Sequence, residues 1–228
     1  MNKPLIAITG ASSGLGADIA VRFSKAGYPL ALFSRNLQLM EKLNLPNCIC
    51  QSVDVCDIDA LTKAINAAEN KFGAIDCLIN NAGVAKRGDF IEIDHHEHET
   101  MIAVNLQGVI NGMEVILPKM RGRKAGTIMN ISSLADRTAR PEHAVYAASK
   151  AAIKSVTESL RMANAKHGIR FCNVAPAKVH TPMWKDQDYD PAHFISSKEF
   201  AEVVLWIYQQ PKTICIRDLA IAPTDYEQ

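Results

Sequence analysis

The sequence predicts an α/β fold: a doubly wound parallel sheet of about seven strands, with helices on both faces, in three α/β/α layers. Three observations predict it. Seven short apolar runs recur along the 228 residues. Helical patterns, with apolar residues three and four apart, separate them. The runs are apolar at successive positions rather than alternating, which suits parallel strands buried on both faces.

The strand-like runs are Leu5–Thr9, Leu30–Phe33, Ile49–Val53, Cys77–Ile79, Thr127–Ile131, Ile169–Val174 and Ile214–Leu219. Leu15, Ile19, Phe23 and Ala26 mark the first helix, which Gly27 stops. Leu61, Ile65, Ala68 and Phe72 mark the second, stopped by Gly73. A third helix is predicted from about His98 to Met120, and a fourth from about Val145 to Lys166, before Gly168. A last one covers about Ser197–Gln209, before Pro211. No linker, repeat or low-complexity stretch interrupts the series, so one domain over residues 1–228 is expected.

Composition narrows the function. Hydrophobic residues make up 48% and charged residues 21%, enough for a sizeable core. A formal net charge of +1 gives no global electrostatic case for nucleic acid or an anionic membrane. No apolar run approaches the ~18 residues that span a bilayer. The N-terminus enters an apolar strand at Leu5 without a leader pattern. Cys48, Cys50, Cys56, Cys77, Cys172 and Cys215 include no C-x-x-C pair. Reduced, mostly buried thiols and a cytoplasmic location are the expectation.

Chemistry enters at the first strand end. Thr9-Gly10-Ala11-Ser12-Ser13-Gly14-Leu15-Gly16 leads straight into a helix. Glycines there permit a tight turn and close backbone approach to a pyrophosphate, while the helix N-terminus supplies amide donors and positive potential. This is a Rossmann-like dinucleotide cradle with G-x-x-x-G-x-G spacing; its plain alternative is an ordinary glycine-rich turn. After the second strand the chain reads Phe33-Ser34-Arg35-Asn36. An acidic residue there would bind a ribose 2′-hydroxyl, whereas neutral Ser34 with cationic Arg35 suits a 2′-phosphate. NADP(H) is therefore expected over NAD(H), which stays possible if Arg35 is only a solvated loop residue.

Tyr146 and Lys150 lie four residues apart on one helix face. A nearby ammonium favours phenolate and lowers a tyrosine pKa from its usual value near 10. Ser133, thirteen residues upstream of Tyr146, can hold a substrate oxygen against the phenol. Alone, the Tyr-x-x-x-Lys spacing equally describes a surface helix with a solvated lysine.

Taken together, the chain resembles the short-chain dehydrogenase/reductase family in its compact form, from about Pro4 to the C-terminus. Thr9–Gly16 matches the family's cofactor motif. Asp54-Val55 matches its adenine-contacting pair, and Asn80-Asn81-Ala82-Gly83 the motif that shapes the adenosine side and braces the sheet. Asn105, Ser133, Tyr146 and Lys150 match the catalytic tetrad. Pro176–Thr181 matches the nicotinamide segment, with Val179 and Thr181 at the carboxamide. The resemblance implies hydride transfer between the nicotinamide and a small carbonyl or alcohol, Tyr146 as general acid or base, and Asn105 holding a water beside Lys150. It also implies a homodimer or homotetramer, packed through the Asn105 and Tyr146 helices; the small residues Ala147, Ala148, Ala151 and Ala152 suit that packing.

Some residues depart from the family pattern. Ala177 stands where glycine is usual, so the nicotinamide loop is expected to bend differently. Ser12 and Ser13 occupy places where many NADP-dependent members carry a basic residue, which leaves phosphate preference mainly to Arg35. Leu219–Thr224 lacks the common glycine-rich tail and is more similar to serine-type 3-hydroxy acid dehydrogenases and related carbonyl reductases. Met183, Trp184, Tyr189, Pro191 and Phe194 form either an apolar lid or ordinary packing under a loop. Arg137 and Arg140 either recognise a substrate carboxylate or are solvated. His95, His96 and His98, with Asp94, Glu97 and Glu99, look like metal ligands but read better as a helix start with acidic residues at its dipole. No metal is expected. The alternatives to an NADP-linked reductase are an NAD-linked dehydrogenase of a small 3-hydroxy acid and a non-catalytic dinucleotide sensor. A sensor would not need the whole tetrad.

Overall fold

A computed structural model describes residues 3–184 and 190–227, without the Trp184 side chain. Its strands and helices alternate: β1 Leu5–Thr9, α1 Gly14–Lys25, β2 Leu30–Ser34, α2 Leu37–Glu41, β3 Cys48–Ser52, α3 Ile58–Phe72 and β4 Ile75–Asn80. Then follow α4 His95–Ile102, a π-helical turn Ala103–Gln107, α5 Gly108–Arg123, β5 Gly126–Ile131, α6 Ala144–Asn164 and β6 Ile169–Pro176. A short parallel pair, β7 Val179–His180 and β8 Ile195–Ser196, precedes α7 Ser197–Gln209 and β9 Asp218–Ile221.

Seven strands form one parallel sheet in the order β3-β2-β1-β4-β5-β6-β9. Alternate residues of β1 feed opposite layers. Ile6 and Ile8 join Phe23 of α1 and Phe200 and Val204 of α7. Leu5 and Ala7 join Leu61 and Ile65 of α3, Met113 and Ile116 of α5 and Ile153 of α6. Each large apolar side chain fully buried this way stabilises by about 1.5–3 kcal/mol. That explains why the strands carry no polar face. The order of connection reverses between β1 and β4, and the crevice at their C-terminal ends is where such sheets bind ligands.

The last strand differs from expectation: pairing occupies Asp218–Ile221 rather than Ile214–Leu219. The chain turns at Pro211, Ile214 stays exposed, and the sheet is reached only where Arg217 O accepts from Asn173 N at 2.9 Å. The third predicted helix is two helices joined at the π turn. The run His95–Arg123 is apolar and long enough to cross a membrane by composition, with 44% of its most apolar window buried inside the molecule. That average corrects the expectation that no apolar stretch approaches this length. The cysteines are less buried than expected: Cys77 and Cys172 are buried, Cys56 is exposed and the other three are half-buried. Cys48 and Cys50 lie on edge strand β3, which has a neighbour on one side only, with sulfurs 3.8 Å apart.

Candidate active site

The glycine turn is built by contacts only glycine allows. Gly10 has φ +66°. A Cβ on Gly16 would lie 2.3 Å from the Gly10 carbonyl, so the first turn of α1 packs directly on the loop. Ser13 precedes α1 without a side-chain cap, which leaves the first amides, from Gly14 and Leu15 onward, free for an acceptor. Asn81 and Ala82 brace this turn from β4. Their amides donate to Thr9 Oγ1 at 3.0 and 3.1 Å, and Asn81 Nδ2 donates to the Thr9 and Gly10 carbonyls.

At the end of β2, Ser12, Ser34, Arg35, Asn36, Leu37 and Gln38 line a cavity of about 470 Å³. Ser34 Oγ donates to Ser12 Oγ at 2.8 Å. Asn36 caps α2, accepting from Leu39 N at 3.1 Å. The lining holds one cation and no carboxylate. Five-residue α2 is too short to show an apolar period, so the sequence did not announce it. On the neighbouring rim Asp54 is exposed and accepts from Cys56 N at 2.9 Å, while Val55 is buried. Asn111 of α5 anchors that loop by donating to the Val55 carbonyl at 2.9 Å.

The four residues read as a tetrad converge. Asn80 donates to Asn130, and Asn130 to Thr157 of α6, through buried bonds of 2.9 and 2.8 Å. This polar chain sets α6, and with it Tyr146 and Lys150, against β4 and β5. Ser133 accepts from Ala135 N at 3.2 Å, which leaves its own proton to donate, and it hydrogen-bonds Tyr146. Lys150, 5% exposed, places Nζ 5.7 Å from the Tyr146 ring centroid. Fully buried Asn105 exchanges hydrogen bonds with the Val84 backbone at 2.8 and 2.9 Å and donates to Ser149 at 3.2 Å. Its π turn is the kind of helix irregularity that gathers at functional sites. Gly83 lies against this pair: a Cβ there would sit 3.3 Å from Asn105 Oδ1 and 3.6 Å from Lys150 Nζ.

Electrostatics correct one expectation. Burial holds the Tyr146 phenol above its usual range, and the Asp136 carboxylate pushes the same way, against the Ser133 hydrogen bond. Lys150 Nζ donates to the Ile131 carbonyl at 2.9 Å and makes no hydrogen bond to the phenol among the described contacts. Burial lowers Lys150 itself to about 8, with Asp136 opposing.

Asp136 was absent from the sequence reading. It is 7% exposed and accepts from Ser132 Oγ at 2.9 Å, Asn173 Nδ2 at 2.8 Å and Arg137 Nε at 2.6 Å. Arg137 also binds both oxygens of Asp218 on β9, at 2.8 and 3.1 Å. Arg140 donates to the Tyr226 hydroxyl. Both arginines are therefore spoken for within the chain, which neither sequence alternative anticipated.

In the Pro176–Thr181 segment, the amide of buried Ala177 donates to the Ile221 carbonyl at 2.8 Å, and the positive φ of +45° falls on Lys178. Buried Val179 pairs with Ile195 in the β7–β8 ribbon. Thr181 faces Gly14, with its Cβ 3.5 Å from the position a Gly14 Cβ would take. Met183 and Pro191 are exposed and Phe194 is half-buried, whereas Tyr189 and the Trp184 side chain lie outside the described residues. The tail reaches the same region: Asp225 pairs with His193, and Lys178 Nζ lies 5.6 Å from the Tyr226 ring centroid. Near α4, Asp94 accepts from His96 N at 2.8 Å, and His95 and His96 face Glu99 at 3.5 and 3.8 Å.

A family model described as short chain dehydrogenase matches residues 4–192. The chain belongs to this family. An uncharacterised oxidoreductase of Staphylococcus saprophyticus is 31% identical over 223 residues, covering 95% of both chains. An alcohol dehydrogenase of Thermococcus sibiricus, solved with 5-hydroxy-NADP, superposes with a TM-score of 0.89 at 23% identity over 99% of both chains. A 3-ketoacyl-(acyl-carrier-protein) reductase of Brucella melitensis, solved with NADH, gives 0.91 at 24% identity over 97% of both. This short-chain dehydrogenase is thus an oxidoreductase of the kind that acts on CH–OH and C=O groups, on a Rossmann-like three-layer fold.

Proposed function

We propose that the protein is an NADP(H)-dependent reductase of small carbonyl compounds, or dehydrogenase of the matching alcohols, with Tyr146 as the proton donor or acceptor. The observation that carries this reading is the meeting of Ser133, Tyr146 and Lys150: a serine hydroxyl bonded to a phenol whose ring lies beside a buried ammonium.

The residues present fit a dinucleotide. Gly10 to Gly16, with Ser12 and Ser13, would hold the pyrophosphate, and Asp54, Val55 and Asn81 to Gly83 the adenosine. Tyr146 and Lys150 would meet the nicotinamide ribose, and Val179 and Thr181 the carboxamide. The cavity beside Ser12, Ser34, Arg35 and Asn36, lined by one cation and no carboxylate, favours a 2′-phosphate. The bound dinucleotide supplies or accepts the hydride. In reduction, Tyr146 gives its proton to the carbonyl oxygen while Ser133 donates to the same atom, stabilising its growing charge. Lys150, at about 8 an ammonium near neutrality, offsets the phenolate left behind. As the family resemblance implies, Asn105 would hold a water that links Lys150 to solvent and returns the proton.

The same reading takes the chain as one cytoplasmic domain that works as a homodimer or homotetramer. Supporting the last point, Phe90, Ile102, Ala144, Val145 and Ala148 line an apolar groove of about 710 Å³ on α4 and α6, and Ala151 is exposed beside it.

The test is loss of reduced-nicotinamide absorbance with ketones, diketones, aldehydes and 3-keto acids, each with NADPH and NADH, beside Tyr146→Phe. Turnover with NADPH that disappears in the variant is expected. Turnover confined to NADH and 3-keto acids would replace the reading with an NAD-linked hydroxy acid dehydrogenase. Binding of dinucleotide with no turnover of any panel member would favour the sensor.

A further inference from the structure

We propose that Asp136 is a positioning residue of the reaction, clamping the turn that carries Ser133 and placing a fixed negative charge behind Lys150. This rests on the proposed role of Lys150 as an ammonium.

Ser133 opens a 3₁₀ turn, Leu134–Asp136, and the Asp136 amide closes it on the Ser133 carbonyl at 2.9 Å. A turn this short has little stability of its own. The Asp136 side chain supplies it by reaching into the sheet, where Asn173 of β6 donates to it, and by accepting from Ser132 at the end of β5. Ser132 Oγ also lies 3.5 Å from the backbone carbonyl of Lys150. One carboxylate therefore ties together the residue before Ser133, the turn after it and Asn173 of β6.

The charge is the second part. The charged and titratable groups that act on Asp136 are Arg137 on its own turn and Tyr146 and Lys150 on α6, with Asp218 of β9 and Lys154 of α6 in the ion pairs beyond Arg137; Asn173 and Ser132 are neutral. Arg137 is shared between Asp136 and Asp218, and Lys154 lies 3.6 Å from Asp218, so the outer pair is compensated at the surface. Asp136 alone turns inward: its carboxylate has no exposed surface. Burial drives Lys150 toward the neutral amine, and Asp136 is the charge that opposes this. The same carboxylate disfavours phenolate at Tyr146. Both effects keep the pair in the protonated state that reduction of a carbonyl requires.

Removing the negative charge lowers the Lys150 and Tyr146 pKa values together, so protons are lost at lower pH. Removing the Arg137 cation strengthens the uncompensated charge at Lys150, so its proton is held to higher pH. A purely structural role would move both variants the same way or not at all.

The experiment follows the Cε resonance of Lys150 by NMR in protein labelled with 13C-lysine, assigned by its loss in Lys150→Met, and needs no substrate. Asp136→Asn is expected to lower the midpoint by about one pH unit or more, and Arg137→Gln to raise it. The alkaline limb of kcat for ketone reduction should move in the same two directions. A midpoint unmoved in folded Asp136→Asn, or moved the same way in both variants, would overturn the proposal. If Asp136→Asn does not fold, Arg137→Gln decides, since that side chain reaches the surface: an upward shift supports the proposal and no shift overturns it. Midpoints that move as expected in a protein that reduces nothing would leave the Asp136 charge in place and remove the reductase reading instead.

Discussion

Ser34 Oγ donates to Ser12 Oγ across 2.8 Å, joining the end of β2 to the glycine turn. The bond fixes the floor of the cavity over which Arg35 stands as the one cation. With serines at positions 12 and 13, Arg35 has no second basic residue to share a phosphate. Arg35→Asp should therefore cost about 1.5–3 kcal/mol of NADPH recognition, the worth of a charged hydrogen bond, or roughly ten- to a hundredfold in kcat/KM. NADH should be affected far less. An unchanged NADPH/NADH ratio would remove Arg35 from the phosphate site.

Tyr146→Phe removes only the hydroxyl that Ser133 bonds. Loss of a general acid costs about 10²–10⁴-fold in turnover. Dinucleotide affinity, measured by fluorescence titration, should stay nearly intact, because most of the proposed cofactor contacts lie elsewhere. A variant as active as the parent would exclude the phenol as proton donor.

The pH dependence follows from Lys150, held at about 8 by burial against Asp136. Below that value it is an ammonium; above it the phenolate formed at Tyr146 loses its nearby positive charge. The kcat for ketone reduction should accordingly decline as pH rises through about 8. Flat rates to pH 10 would mean that another group compensates the phenolate.

What the sequence disclosed, and what it withheld, follows from range. The sheet was legible because strands such as Leu5–Thr9 are apolar on both faces, a local property. Tyr146 and Lys150 were legible because one helix turn joins them. Asp136 was not, since its meaning depends on Asn173 and Asp218, which lie on strands much later in the chain and reach it only after β6 and β9 have joined the sheet. Strands of two residues, as in β7 and β8, carry no pattern at all. The π turn at Asn105 sits inside an uninterrupted helical period, so nothing in the sequence marked it.

Gly83 offers a test of the proposed water path that leaves all four tetrad residues unchanged. In Gly83→Ala the new Cβ would sit 3.3 Å from Asn105 Oδ1 and 3.6 Å from Lys150 Nζ, crowding the two groups that would share the water. Gly83 is not among the positive-φ residues, so alanine there brings no backbone penalty. Turnover should fall while the thermal midpoint and dinucleotide affinity change little. A solvent isotope effect on kcat should rise if proton resupply has become limiting. Full activity with an unchanged isotope effect would mean that the proton returns by another route.

Lys150 should also be a liability for stability. Its fall from 10.5 to about 8 corresponds to roughly 3 kcal/mol by which the ammonium is worse off folded than unfolded. The sign follows from proton counting. Between about pH 8 and 10.5 the unfolded chain holds the proton that the folded chain has released, so this group's contribution to stability rises with pH across that window. Below about 8 both states are protonated and the full penalty applies. Lys150→Met, which keeps the apolar stem, should therefore unfold at higher denaturant concentration than the parent at pH 7. The advantage should shrink as pH climbs toward 10.5, while turnover is lost at every pH. A variant less stable than the parent at pH 7 would show that the hydrogen bond to the Ile131 carbonyl outweighs the cost of burying the charge.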